Sequence, residues 1–180
     1  AWVYMPGQRR VRRTPDLAYD TADIDSNGIR TIDQLDMFNG APDFYEWTLI
    51  GKEEKYVPYN AYKLHSGGLE IDDIVGDYHI TPELLRYELH RVWVVEANLR
   101  VGMSHIYKKR RYYFDEDSWQ ILLSEEYDED GELKQLSEAH PINYYEMPLP
   151  FSTLEVTYDL EDRRYYVEGL DNERDPMDFK

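Results

Sequence analysis

The sequence predicts an α+β domain in which an antiparallel β-sheet dominates and two short helices are accessory. Three observations carry this. From Tyr87 onward, apolar and aromatic residues alternate with polar ones over segments of strand length. Short acidic turns separate those segments: Asp115-Glu116-Asp117-Ser118, Asp128-Glu129-Asp130-Gly131 and Leu160-Glu161-Asp162. Helix-start signals occur twice, and breakers soon follow each of them.

Taken in order, Trp2-Val3-Tyr4 and Arg9 to Arg13 read as a hairpin, because Pro6-Gly7 between them is the pairing a type II turn uses. Thr14 to Gly28 lacks periodicity and reads as a long loop. Thr31 stands three residues before Gln34 in capping-box spacing, which predicts a short helix over 32–38 closed by Asn39-Gly40. Tyr45 to Tyr56 alternates loosely around Gly51 and fits two short strands or one bulged strand. Thr81-Pro82-Glu83 starts a helix of a single turn, with Thr as N-cap and Pro at the first helical position.

The strongest pattern is Tyr87 to Leu99, a long strand with both faces partly apolar. Strands follow at Ile106 to Phe114, Trp119 to Tyr127 and Glu132 to His140, forming a meander. A last hairpin pairs Thr153 to Asp159 with Arg163 to Glu168, and the polar tail from Asp171 is expected to fray.

The 180 residues suit one domain, 1–180, able to bury on the order of 70% of the surface its unfolded chain would expose. A hydrophobic content of 42% with 17 Tyr places it among globular chains. Its 37 acidic against 20 basic residues, net −17, oppose the phosphate backbone of nucleic acid, which is not expected as a partner. No stretch is long and apolar enough for a transmembrane segment. The absence of Cys removes disulfides, zinc-thiolate sites and thiol catalysis.

No nucleophile elbow, phosphate loop or dinucleotide fingerprint occurs, and no cofactor is expected. Asp23-Ile24-Asp25-Ser26-Asn27-Gly28 matches the opening of a calcium loop, but Gln34 stands where a bidentate carboxylate belongs, so an acidic surface loop is the preferred reading. The five histidines are scattered; Glu88 and His90 share a strand face and suit either mutual pairing or a metal or proton-shuttling role. Basic residues cluster in two places, Arg9, Arg10, Arg12, Arg13 and Lys108 to Arg111. Alternate members face opposite sides of a sheet, and they suit either cross-strand ion pairs or an anionic head group. The interleaved aromatics suit either a core with tyrosines at its wet edges or a curved sheet with an apolar groove.

The blocks Trp2 to Arg13, Asp36 to Gly40, Tyr87 to Ala97, Tyr112 to Trp119 and Thr153 to Asp159 closely resemble a Gram-negative family of unknown function described as outer-membrane lipoprotein-sorting-like. More remotely, that family is similar to the LolA/LolB carriers. The resemblance implies a strongly curved antiparallel half-barrel, a secreted protein that is periplasmic or outer-membrane associated, and a chain matching the C-terminal part of longer relatives. It also implies a non-enzymatic carrier of a hydrophobic or lipid-like ligand, with an envelope transport protein as the alternative partner of a docking domain. On that reading Tyr87, Trp93, Tyr112, Phe114 and Trp119 line the groove, and Arg9, Arg10, Lys109 and Arg111 attract an anionic head group.

Overall fold

The computed structural model describes residues 2–5, 9–13 and 18–173; before residue 18, side chains are described only for Arg9 and Val11. Strands β1 (Trp2–Met5) and β2 (Arg10–Arg13) pair as the expected hairpin, whose turn residues 6–8 lie outside the described residues. The main sheet has seven antiparallel strands in chain order: β3 (Tyr45–Pro58), β4 (Tyr87–Leu99), β5 (Lys109–Asp115), β6 (Ile121–Tyr127), β7 (Leu133–Tyr144), β8 (Leu149–Asp159) and β9 (Arg164–Glu168). It is an open curved meander, with β3 and β9 at its edges.

Several expectations are corrected. The helix over 32–38 is only a 3-10 turn, Ile32–Gln34. The capping box forms as expected, with the Thr31 amide donating to Gln34 Oε1 at 2.7 Å. The helix cannot continue because Asp36 and Met37 take left-handed φ values of 51° and 64°. Pro82–Leu84 is likewise a 3-10 turn, and the described α-helix, α1 (Ile71–Ile74), had no clear sequence signal. β3 is the second of the two expected forms, one bulged strand, its register shifting between Leu49 and Gly51. β5 starts at Lys109 rather than Ile106, since His105 Nδ1 accepts the Tyr107 amide in a tight turn.

β6 starts at Ile121 because Trp119 has φ 60° and cannot extend the ladder. β7 runs on to Tyr144, absorbing Pro141 at an irregularity in register where its missing N–H is tolerated. Asp171, Asn172 and Glu173 are held rather than frayed: Asn172 Nδ2 donates to the Leu64 carbonyl at 2.6 Å, and Glu173 Oε1 accepts from the Ile71 amide at 3.0 Å. The remainder of the tail lies outside the described residues.

Cross-strand register assigns the faces. Val95, Tyr112, Ser124, Ser137, Thr157 and Tyr166 are successive partners across six strands and share one face. Residues 18–44 pack on that face, where Phe38 meets the Tyr112 ring edge-on and Gln34 Nε2 donates to Gln135 Oε1. Residues 59–86 cover the other, where Ala61, Leu64, Ile74 and Ile80 close on Ile142, Leu154 and Val156. Each fully buried Leu or Ile there contributes roughly 1.5–3 kcal/mol by leaving water.

Candidate functional site

A groove of about 370 Å³ opens on the face covered by residues 18–44, between the β5–β6 turn and the start of β8. Met37, Phe114, Trp119, Ile121 and Phe151 supply apolar walls; Asp36, Gln120, Ser152 and Glu155 supply polar atoms. Phe114 and Ile121 are cross-strand partners at a register irregularity that turns the end of β5 toward the groove. The turn between them is pinned by Asp115, whose Oδ2 accepts the Ser118 amide at 2.8 Å and the Ser118 hydroxyl at 2.7 Å. That leaves Trp119 at φ 60°, 67% exposed, with a bulky aromatic in a conformation that favours glycine. Such strain at an exposed aromatic is a feature concentrated at functional positions.

Polar chemistry at the groove is one-sided. Burial pushes the Glu155 carboxyl up to about 7, reinforced by the charges of Asp36 and Glu168 and opposed by Arg30 and the Met37 amide. Gln120 donates its amide nitrogen to the Pro150 carbonyl at 3.0 Å, which leaves its buried Oε1 without a partner among the described residues.

Next to the groove the same face carries a buried polar cluster. Arg110, fully buried, directs its terminal nitrogens at Asp33 and Tyr112. Since His105 Nδ1 accepts a backbone N–H, its Nε2 carries the proton and donates to Asp33 Oδ2 at 3.2 Å. Glu126, opposite Arg110 on β6, accepts from the Ser124 hydroxyl with one oxygen and has no partner at the other among the described residues. Burial raises this carboxyl to about 7.

Of the residues named from sequence, the groove brings together Phe114 and Trp119. Tyr112 is fully buried beside Phe38 and Trp47, in a cluster that Phe114 and Ile121 join. Trp93 is half-buried under Lys52, whose Nζ lies 4.4 Å from the ring. Tyr87 donates its hydroxyl to Glu138 at 2.8 Å, away from the groove. Lys109 and Arg111 both lie on the opposite face: Arg111 makes a cross-strand ion pair with Glu96 at 3.0 Å, whereas Lys109 sits over the Tyr127 ring rather than beside a carboxylate. Arg9 is exposed in the β1–β2 hairpin, and the Arg10 side chain lies outside the described residues. Met37, Phe151 and Glu155 were missed: Met37 read as helix, and Pro148 and Pro150 hid the start of β8.

The other candidate motifs resolve into packing. Asp23 in the calcium-like loop accepts from Arg30 Nε at 2.8 Å, and Arg30 also pairs with Glu168, placing a fixed cation where an ion would sit. His90 Nδ1 donates to Asp115 Oδ1 at 3.0 Å, and its ring lies 3.7 Å from Glu88. With Asp117 it forms a group whose ligand atoms lie within 4.8 Å, but Asp115 is already the anchor of the β5–β6 turn. Glu88 is lowered, chiefly by Arg86 and Asn60, the opposite of what a general acid requires. No helix among the described residues is long and apolar enough to cross a membrane.

An open, curved antiparallel sheet carrying short helical turns has counterparts among solved structures. A crystal structure described as an outer membrane lipoprotein-sorting protein domain from Vibrio parahaemolyticus aligns with TM-score 0.55 at 14% identity, covering 92% of this chain and 55% of that one. Another, a DUF1329 family protein from Desulfovibrio piger, aligns with TM-score 0.51 at 15% identity over 92% of this chain and 54% of that one. A LolA superfamily protein from Nitrosomonas europaea reaches 0.46 at 15% identity, over 92% of this chain and 57% of that one, too distant to bear on the fold. The chain belongs to the DUF1329 family of proteins of unknown function, whose model matches residues 1–180. An uncharacterized protein of Pseudomonas aeruginosa is 49% identical over 173 residues, covering 96% of this chain and 38% of that protein. The chain thus spans well under two thirds of the relatives it matches.

Proposed function

We propose that the domain is a non-enzymatic binding or carrier module for a hydrophobic or lipid-like ligand in the Gram-negative periplasm. The carrying observation is the groove, in which a strained, exposed Trp119 and Phe114 face Met37, Ile121 and Phe151 on a sheet of the lipoprotein-sorting type. Phe114 and Trp119 are the proposed ligand contacts, and Tyr112 supports the floor from below. Native mass spectrometry of gently purified protein, followed by solvent extraction, tests this. A discrete hydrophobic adduct, reduced by Trp119→Ala and Phe114→Ala, is the expected result. A bare mass with no uptake from a lipid mixture overturns it.

A second reading is favoured by the edge strand β3, which among the described residues has no partner strand on one side and exposes Leu49, Ile50 and Tyr56. Such an edge suits strand addition by an envelope transport protein. A bare mass together with loss of partner capture in an Ile50→Lys variant moves the function there.

A further inference from the structure

We propose that the groove selects hydrophobic ligands whose polar end donates hydrogen bonds and carries positive charge, of the alkylammonium kind, over ligands with an anionic head. The inference rests on the carrier reading and specifies its ligand. Its basis is the inventory of polar atoms at the groove. The Asp36 carboxylate and the Glu155 carboxyl are acceptors of lining residues, and the lining residue Gln120 has a buried Oε1 with no partner among the described residues. Two donors nearby are spent, Gln120 Nε2 on the Pro150 carbonyl and the Met37 amide on Glu155, and the Trp119 indole N–H is a neutral donor that brings no positive charge to an anionic head. Ser152 contributes a hydroxyl that serves either way. A buried acceptor without a partner is costly, which favours a ligand that brings a donor over one that brings a further acceptor.

Charge points the same way. Among the described residues, no Lys or Arg lines the groove. The charged groups facing Glu155 are Asp36 from the turn after Ile32–Gln34, Glu168 from β9 and Arg30 from the preceding loop. Arg30 is held by Asp23 and Glu168, so the local balance is negative. An anionic head would meet like charge at short range, whereas a cationic head completes a pair. A carboxyl held near 7 ionises as pH rises from 6 to 8, so the affinity for a cationic head rises across that window.

Isothermal titration of the 180-residue chain with dodecylammonium, dodecanol and dodecanoate, each below its micellar concentration at pH 8, tests the proposal. Dodecylammonium is expected to bind tightest and dodecanoate weakest. Glu155→Gln should lose about tenfold for dodecylammonium, the worth of one charge-assisted hydrogen bond, and leave dodecanol unchanged. Asp36→Asn, a second variant that spares the strand, should act in the same direction. The exposed Asp130→Asn, which removes the same charge far along the chain, should do neither. Dodecanoate binding as tightly as dodecylammonium, or Asp130→Asn losing as much as Glu155→Gln, overturns the charge selection while leaving the carrier reading intact. Uptake of none of the three probes, or dodecanol uptake indifferent to Trp119→Ala, overturns the carrier reading and this proposal with it.

Discussion

The Asp33 carboxylate takes both terminal nitrogens of Arg110, at 2.9 and 3.0 Å, in a setting where neither side chain is more than 2% exposed. This pair joins the segment 18–44 to the middle of the sheet. Breaking it by Asp33→Asn leaves an uncompensated buried guanidinium, and a loss of about 3–5 kcal/mol is expected in urea denaturation. The double replacement Asp33→Leu with Arg110→Met removes both charges and should cost less than the single one. A double variant as unstable as Asp33→Asn would assign the loss to packing instead.

Stability should pass through a maximum on the acid side of neutrality. Burial alone would raise Asp33, but His105 and Arg110 outweigh it and hold the carboxyl at about 2. Its contribution is therefore present above the unfolded value of about 3.9 and is lost as pH falls toward 2. Glu126 and Glu155 lie the other way, at about 7, so the native state binds more protons than the unfolded chain between about pH 4.3 and 7. Stability declines as pH rises through that window and levels off above it. Denaturation at pH 3, 5 and 8 checks the profile, and Glu126→Gln should flatten the decline while sparing the acid limb.

Trp119 offers a separation of stability from binding. Its left-handed backbone costs on the order of 1 kcal/mol relative to glycine, and most of its ring is in solvent. Trp119→Gly should therefore leave the melting temperature unchanged or raise it by a few degrees, while weakening uptake of a hydrophobic probe. A clear drop in melting temperature would show that the ring is structural.

Gly76 is expected to resist substitution. A Cβ there would stand 2.7 Å from the His79 carbonyl oxygen, in the turn that also bonds the Tyr165 hydroxyl. Gly76→Ala should cost about 1–3 kcal/mol, as overpacking does. Gly67, with open space around its missing Cβ, serves as the tolerant control.

Much of the sheet was legible because strand alternation and turn composition are local. Tyr87 to Leu99 announces β4 through a period of two, and the acidic turns mark the ends of β5, β6 and β8. The same alternation puts Lys109 and Arg111 on the face away from Tyr112 and Phe114, as the register shows, whereas the expected ligand site grouped all four. Boundaries failed where one residue's backbone overrode its neighbourhood: Met37 and Trp119 at positive φ, and Pro141 inside β7.

By itself, then, the sequence determined an antiparallel meander with a basic and aromatic pattern on alternating faces, because those properties follow from neighbouring residues. Only the tertiary structure decided which face is covered by residues 18–44 and where a groove remains. Asp33 finds Arg110, Arg30 finds Glu168 and Glu155 comes to lie beside Met37 and Asp36 through contacts between residues far apart in the chain. Such pairings are selected by the burial and charge balance of the whole fold, to which no local spacing is a guide.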